Sequence, residues 1–252
     1  MAIALRGSLA WAAGTGTPQT STIPGTPQVG DMIIAYLGIK PYTVVPSVTT
    51  SGFALIPGSV GTNGTTASGI DTGSVGWAAY WKIFASGDST VSWAIGGVNV
   101  SLRTIHTFYS TTSDSFCAPI GASGSDTSSD TTYSSVMTNM DLQTNDVLVG
   151  YTSLPGDNST FGSPTLSASG LTIGAPTEDP ATEGTTSSAQ DFESSAMYAT
   201  ISAGKTNVGV TLGWTLSVAQ TGGGCLIRLR EAKPMIENYK RVSSADQVGG
   251  IG

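Results

Sequence analysis

Residues 76–110, GWAAYWKIFASGDSTVSWAIGGVNVSLRTIHTFYS, limit the folds open to this chain more than any other stretch. Trp, Tyr, Val, Ile and Phe crowd three segments, and the breaks between them, Ala85-Ser86-Gly87-Asp88 and Gly96-Gly97, are made of turn residues. Val91, Trp93 and Ile95 alternate with Ser92 and Ala94, the period of two that buries one face of an antiparallel strand. Aromatic and β-branched side chains suit such a pleated surface. No helical period of similar strength competes. The pattern predicts strands over residues 75–84, 89–95 and 101–108.

Composition extends that reading to the whole chain. Only 11% of the 252 residues are charged, and the polar character comes from Ser, Thr, Asn and 33 Gly. Strands of Ser, Thr and Val joined by Gly-rich turns satisfy this balance, so an all-β protein is expected. A net charge of −7 with ten Lys and Arg argues against nucleic-acid binding, which needs clustered cations. No apolar run reaches membrane-spanning length, and the N-terminus lacks the layout of a secretion signal. The expectation is a soluble protein made in a cytoplasm, with no nucleic acid, membrane or cofactor as partner. Cys117 and Cys225 lack metal-site spacing and read as two buried thiols, with one disulfide as the alternative.

Read in order, Met32-Ile33-Ile34-Ala35-Tyr36-Leu37 is a continuous apolar run between Gly30 and Gly38, a strand buried on both faces. Residues 58–73 read as a surface loop, and residues 111–132 as a polar connection before a short strand at 133–137. Residues 175–193 read as a solvated acidic loop, and the last strands fall in 196–229. An internal repeat underlies this order. Gly30-Asp31 and its apolar run return as Asn145-Asp146-Val147-Leu148-Val149-Gly150-Tyr151, and Tyr80 is matched with Tyr198 and Val91 with Val210. The expectation is one antiparallel β-sandwich, jelly-roll-like, over residues 1–230, built from two similar halves (1–110 and 133–230) around one shared interior.

Chemistry-bearing residues are few. His106, the only histidine, is expected in a strand with Arg103 on its side, and no nucleophile motif accompanies it. Asp31 with Asp146, or Glu178 with Asp179, is the carboxylate pair a glycosidase would need. Asp31 and Asp146 each precede a strand, where Asp caps turns. Asp126 and Asp130 fit no calcium-loop pattern. Trp11, Trp77, Trp81, Trp93 and Trp214 read as core, with a sugar-binding face as the alternative. No catalytic or metal residue is assigned. Beyond Arg230 the strand pattern stops, and residues 231–252 read as an extended arm. Its anchors for a partner are Met235, Ile236 and Tyr239, with Lys240 and Arg241 facing acidic surface.

Taken together, VGDMIIAYLG, SGFALIPGS, AAYWKIFASGDSTVSWAIGG and RTIHTFYS resemble a class of tailed-bacteriophage virion proteins of β-sandwich type. The second half departs from the pattern, with Gly204-Lys205 where Gly87-Asp88 is expected. The resemblance implies a capsid decoration or cement protein on the virion surface. It would be a homotrimer binding the major capsid protein. A tail-tip or fibre protein that binds host glycan is the alternative it implies.

Overall fold

Among the described residues every regular element is a strand, and every strand pairing is antiparallel. The computed structural model describes residues 2–15, 18–64, 72–96, 100–156, 160–179 and 191–232. The first segment holds β1 (Ile3–Ser8), β2 (Ala12–Gly14), β3 (Gln19–Thr22), β4 (Met32–Lys40), β5 (Ser47–Val48), β6 (Ala54–Leu55), β7 (Gly61–Asn63), β8 (Val75–Ile83), β9 (Thr90–Ala94) and β10 (Val100–Ser110). The second holds β11 (Ile120–Leu142), β12 (Val147–Leu154), β13 (Phe161–Ser167), β14 (Thr172–Ile173), β15 (Thr177–Glu178), β16 (Glu193–Ala203) and β17 (Lys205–Leu229).

Two large sheets result, ordered β1-β10-β4-β8-β6 and β11-β17-β12-β16-β14. When only these five strands are numbered in chain order, each path reads 1-5-2-4-3. The sheets pack face to face, as the sandwich expectation required. Ile34, Tyr36, Trp77 and Phe108 of the first meet Val149, Tyr151, Cys225 and Ile227 of the second in one apolar cluster. That shared interior is one of three. Ile33, Leu37 and Ile105 point the other way and pack on Val91 and Trp93 of a small outer sheet, β3-β9-β5. Leu148, Met197 and Leu226 likewise pack on Tyr133, Leu212 and Trp214, which lie on outer stretches of β11 and β17. β4 and β12 are therefore buried on both faces. This is why their sequences are continuously apolar rather than alternating.

Three other expectations need correction. The connection between the segments is residues 111–119, since β11 begins at Ile120. Its Ser, Thr and Gly residues show little period but pair along almost the whole of β17. Residues 58–64 do not form a free loop: Asn63 is buried, and its amide donates to the carbonyls of Asp126 and Gly222 at 3.0 and 2.6 Å. In the repeat, register sets Trp81, not Tyr80, against Tyr198. Trp81 lies opposite Ile34 and Tyr198 opposite Val149, and Ile34 and Val149 have the same spacing as Asp31 and Asp146.

The two strand entries match atom for atom. Asp31 Oδ2 accepts the Gln28 N–H at 2.8 Å, and Asp146 Oδ2 accepts the Gln143 N–H at 2.7 Å. Each aspartate also holds an arginine at 2.6 Å, Arg6 and Arg230. Arg6 comes from β1, whereas Arg230 directly follows β17. Lysines behave the same way at the paired Ser-Gly turns. Lys82 donates to the Ser51 carbonyl at 3.2 Å and Lys205 to that of Ser169 at 3.0 Å. Lys205 thus explains the departure at Gly204-Lys205. Cys117 and Cys225 are free thiols, Cys117 partly and Cys225 fully buried, and burial pushes the Cys225 thiol up.

Lys82 also pairs with Asp88 at 2.6 Å. Partial burial pushes the Asp88 carboxyl up, but the Lys82 hydrogen bond, the Ala85 N–H and the Lys82 charge outweigh it, so its pKa lies below the ordinary value. A depressed carboxyl stabilises the fold above its unfolded pKa and loses that contribution as pH falls through the folded one. Asp88→Asn is expected to cost up to about 1 kcal/mol at pH 7 and progressively less at a strongly acid pH, as the depressed carboxyl protonates in the folded state too. Unfolding curves at the two pH values check this, and an equal loss at both would refute it.

Candidate functional site

The densest polar chemistry lies in the seam between the two large sheets. His106 stands on β10 opposite Ile34 and faces the second sheet. The residue after β15, Asp179, is fixed by its N–H to the Ala196 carbonyl at 3.0 Å. His106 Nε2 and Asp179 Oδ2 are 2.7 Å apart, with side-chain exposures of 1% and 0%. Asp179 Oδ1 accepts the Ser8 hydroxyl at 2.7 Å, and His106 Nδ1 meets the Tyr151 hydroxyl at 2.9 Å. A carboxylate only accepts, so Nε2 carries the hydrogen of that bond, and in the neutral imidazole Nδ1 accepts from the Tyr151 hydroxyl. Burial, with the nearby Cys225, Asp179 and Tyr36, raises the Tyr151 pKa, which keeps that hydroxyl protonated.

Around this centre the seam is stitched by further buried groups. Tyr36 and Tyr151 stack at 4.4 Å, and the Tyr36 hydroxyl meets Ser153 Oγ at 2.7 Å. Ser153 reaches Ser194 at 3.2 Å. Lys40, wholly buried at the end of β4, donates to the carbonyls of Pro155 and Asp191. Gln220 bridges the Gly156 N–H and Glu193 Oε1, each at 2.9 Å.

An Asp–His pair with neighbouring hydroxyls has the parts of a proton relay. Here both ring nitrogens already have protein partners, and the imidazole is walled in on every side. At one end of the seam a cleft of about 270 Å³ opens between Ile3, Leu5, Phe108, Val147 and Tyr198. Its lining is mostly apolar and includes Thr177 and Thr200.

Other sequence candidates fall elsewhere. Arg103 lies on the opposite face from His106, because an odd separation along a strand reverses the side. Its guanidinium reaches Ser21 and the Ala12 carbonyl and lies 5.9 Å from the Trp93 ring. Asp31 and Asp146 cap separate turns, and Glu178 binds Ser195 at 3.2 Å. Asp126 accepts the N–H groups of Ser128 and Ser134, and Asp130 that of Thr132. Among the described residues no cluster of three or more His, Cys, Asp or Glu could hold a metal. Trp77, Trp93 and Trp214 are buried, while Trp11 and Trp81 pack half-buried against the shared core.

The solvated acidic loop is a further correction. Asp179 and Glu193 are fully buried and β15 pairs with β16, while residues 180–190 lie outside the described part. The sequence reading weighed Asp179 only as a partner of Glu178, not of His106, and missed Tyr151 and Lys40. Only Lys40 left a trace, a lone cation closing an apolar strand.

The residues after β17 lie beside the connection at 111–119: Phe116 bridges to Glu231, and the Ala232 N–H donates to the Ser115 carbonyl at 2.7 Å. The arm residues Met235, Ile236, Tyr239, Lys240 and Arg241 lie outside the described residues. No protein-family model, curated protein or solved structure matches this chain.

Proposed function

We propose that this chain is a structural protein of a phage virion, a capsid decoration or cement protein. In this reading it sits on the capsid surface as a homotrimer and holds neighbouring copies of the major capsid protein together. The observation that carries the reading is where the reactive and aromatic side chains go. His106 and Asp179 are enclosed in the seam, and no tryptophan stands in solvent. Outward positions on β3, β11 and β13 are mainly Ser, Thr, Asp and Asn, small hydrogen-bonding groups suited to broad contact. The sequence resemblance supplies the virion, and residues 231–252 supply an arm for a neighbour. A glycan-binding tail tip would call for aromatic rings at the surface.

The test is to strip this protein from purified virions and then heat or osmotically shock them. Heads that burst at lower temperature support the cement role. Heads that stay intact while adsorption to host is lost refute it in favour of the tail tip. Truncation after Ala232 is expected to leave the fold intact and lower occupancy on particles. Unchanged occupancy would remove the arm from the proposal.

A further inference from the structure

Tyr36 and Tyr151 hold the same place in the two sheets, and they stack on each other across the seam at 4.4 Å and 8°. Each faces an alanine on the neighbouring strand, Ala79 and Ala196. Those alanines in turn accept equivalent backbone bonds at 3.0 Å, from Ile56 and from Asp179. On the other side, His106 lies opposite Ile34 and Ile227 opposite Val149, so His106 and Ile227 are also mates. The seam therefore has the form of a dimer interface about a local two-fold axis through the tyrosine pair. One pair of mate positions carries Asp179 and His106. The other carries Ile56 and Ile227, both in the shared core.

We propose that this asymmetry decides which half pairs with which, and that the partner it excludes is a second copy of this chain. If two first halves met through the same face, each His106 would be buried against Ile56. If two second halves met, each Asp179 would be buried against Ile227. Either arrangement strands a polar group without its partner, which disfavours it by about two orders of magnitude or more per site. Only first half on second half satisfies all four positions at once. This inference does not depend on the virion reading, since it concerns pairing within the chain.

The test uses the full chain with a protease site replacing Ser113–Asp114–Ser115 in the crossover. Folded protein is cut and weighed by native mass spectrometry. The parent is expected to yield only particles containing one N-terminal and one C-terminal fragment. In the variant S8A/H106I/Y151F/D179I both mate pairs are apolar and the two hydroxyls that bonded them are gone, so particles of two C-terminal fragments are expected at high protein concentration. Lys40, whose carbonyl partners Pro155 and Asp191 belong to the second half, still opposes two N-terminal fragments. A variant giving only mixed particles would overturn the proposal, and so would a parent already giving like-with-like particles. A variant that does not fold also counts against it, because Ile56 and Ile227 show that the mate site accepts an apolar pair.

Discussion

Asp179→Ala is expected to lower the unfolding free energy by about 3–5 kcal/mol, the range for breaking a buried pair by removing one partner. The carboxylate takes hydrogens from both His106 and Ser8 inside a wall that excludes solvent. Its removal strands both donors at once and leaves a void. Asp179→Asn keeps the volume and one acceptor oxygen, so a smaller loss is expected, about 1–3 kcal/mol. Urea unfolding monitored by tryptophan fluorescence gives both numbers, with an unchanged slope showing that compactness is preserved. A loss under 1 kcal/mol for the alanine variant would mean the pair contributes nothing to closing the seam.

Trp77→Ala should be as damaging, at about 3–5 kcal/mol. The indole is fully buried and lies in the shared core, with its Nε1 3.4 Å from Ser123 Oγ. It fits because glycines line its slot from both halves. A methyl group on Gly61 would come within 2.3 Å of the ring, and one on Gly223 within 2.0 Å. Gly223→Ala should therefore cost about 1–3 kcal/mol through overpacking. Combining it with Trp77→Leu should cost less than the two single changes added together, since the smaller side chain clears the new methyl. Strict additivity in the same unfolding experiment would contradict this account of the slot.

These two sites show how differently the sequence exposes its contents. Trp77 was legible as a core residue because it sits in a short, nearly continuous apolar segment, Val75–Ile83, bounded by turn residues. Asp179 was not, because Glu178 and Asp179 open a stretch of carboxylates that resembles a solvated loop. Its burial is imposed by His106, 73 positions away, and by Ser8, 171 positions away. Arg103 differs in kind: it lies three positions from His106 on β10, and a period of two puts residues an odd interval apart on opposite faces. For β11 the cause was composition. A strand of Ser, Thr and Gly has no apolar stripe to betray it, and its partner β17 brings Gly222, Gly223 and Gly224 to the same ladder.

The amino-acid sequence by itself determined that this chain forms antiparallel strands. Period-two patterning and Gly-rich turns act over a few residues, so they can be read locally. It also carries the same Asp-capped entry into a doubly buried strand at two places, Asp31 and Asp146. Tertiary structure alone decided that Tyr36 would stack on Tyr151, and that one set of mate positions would hold His106 and Asp179. Those choices depend on how two sheets meet across a solvent-free seam, and no local preference encodes such a meeting.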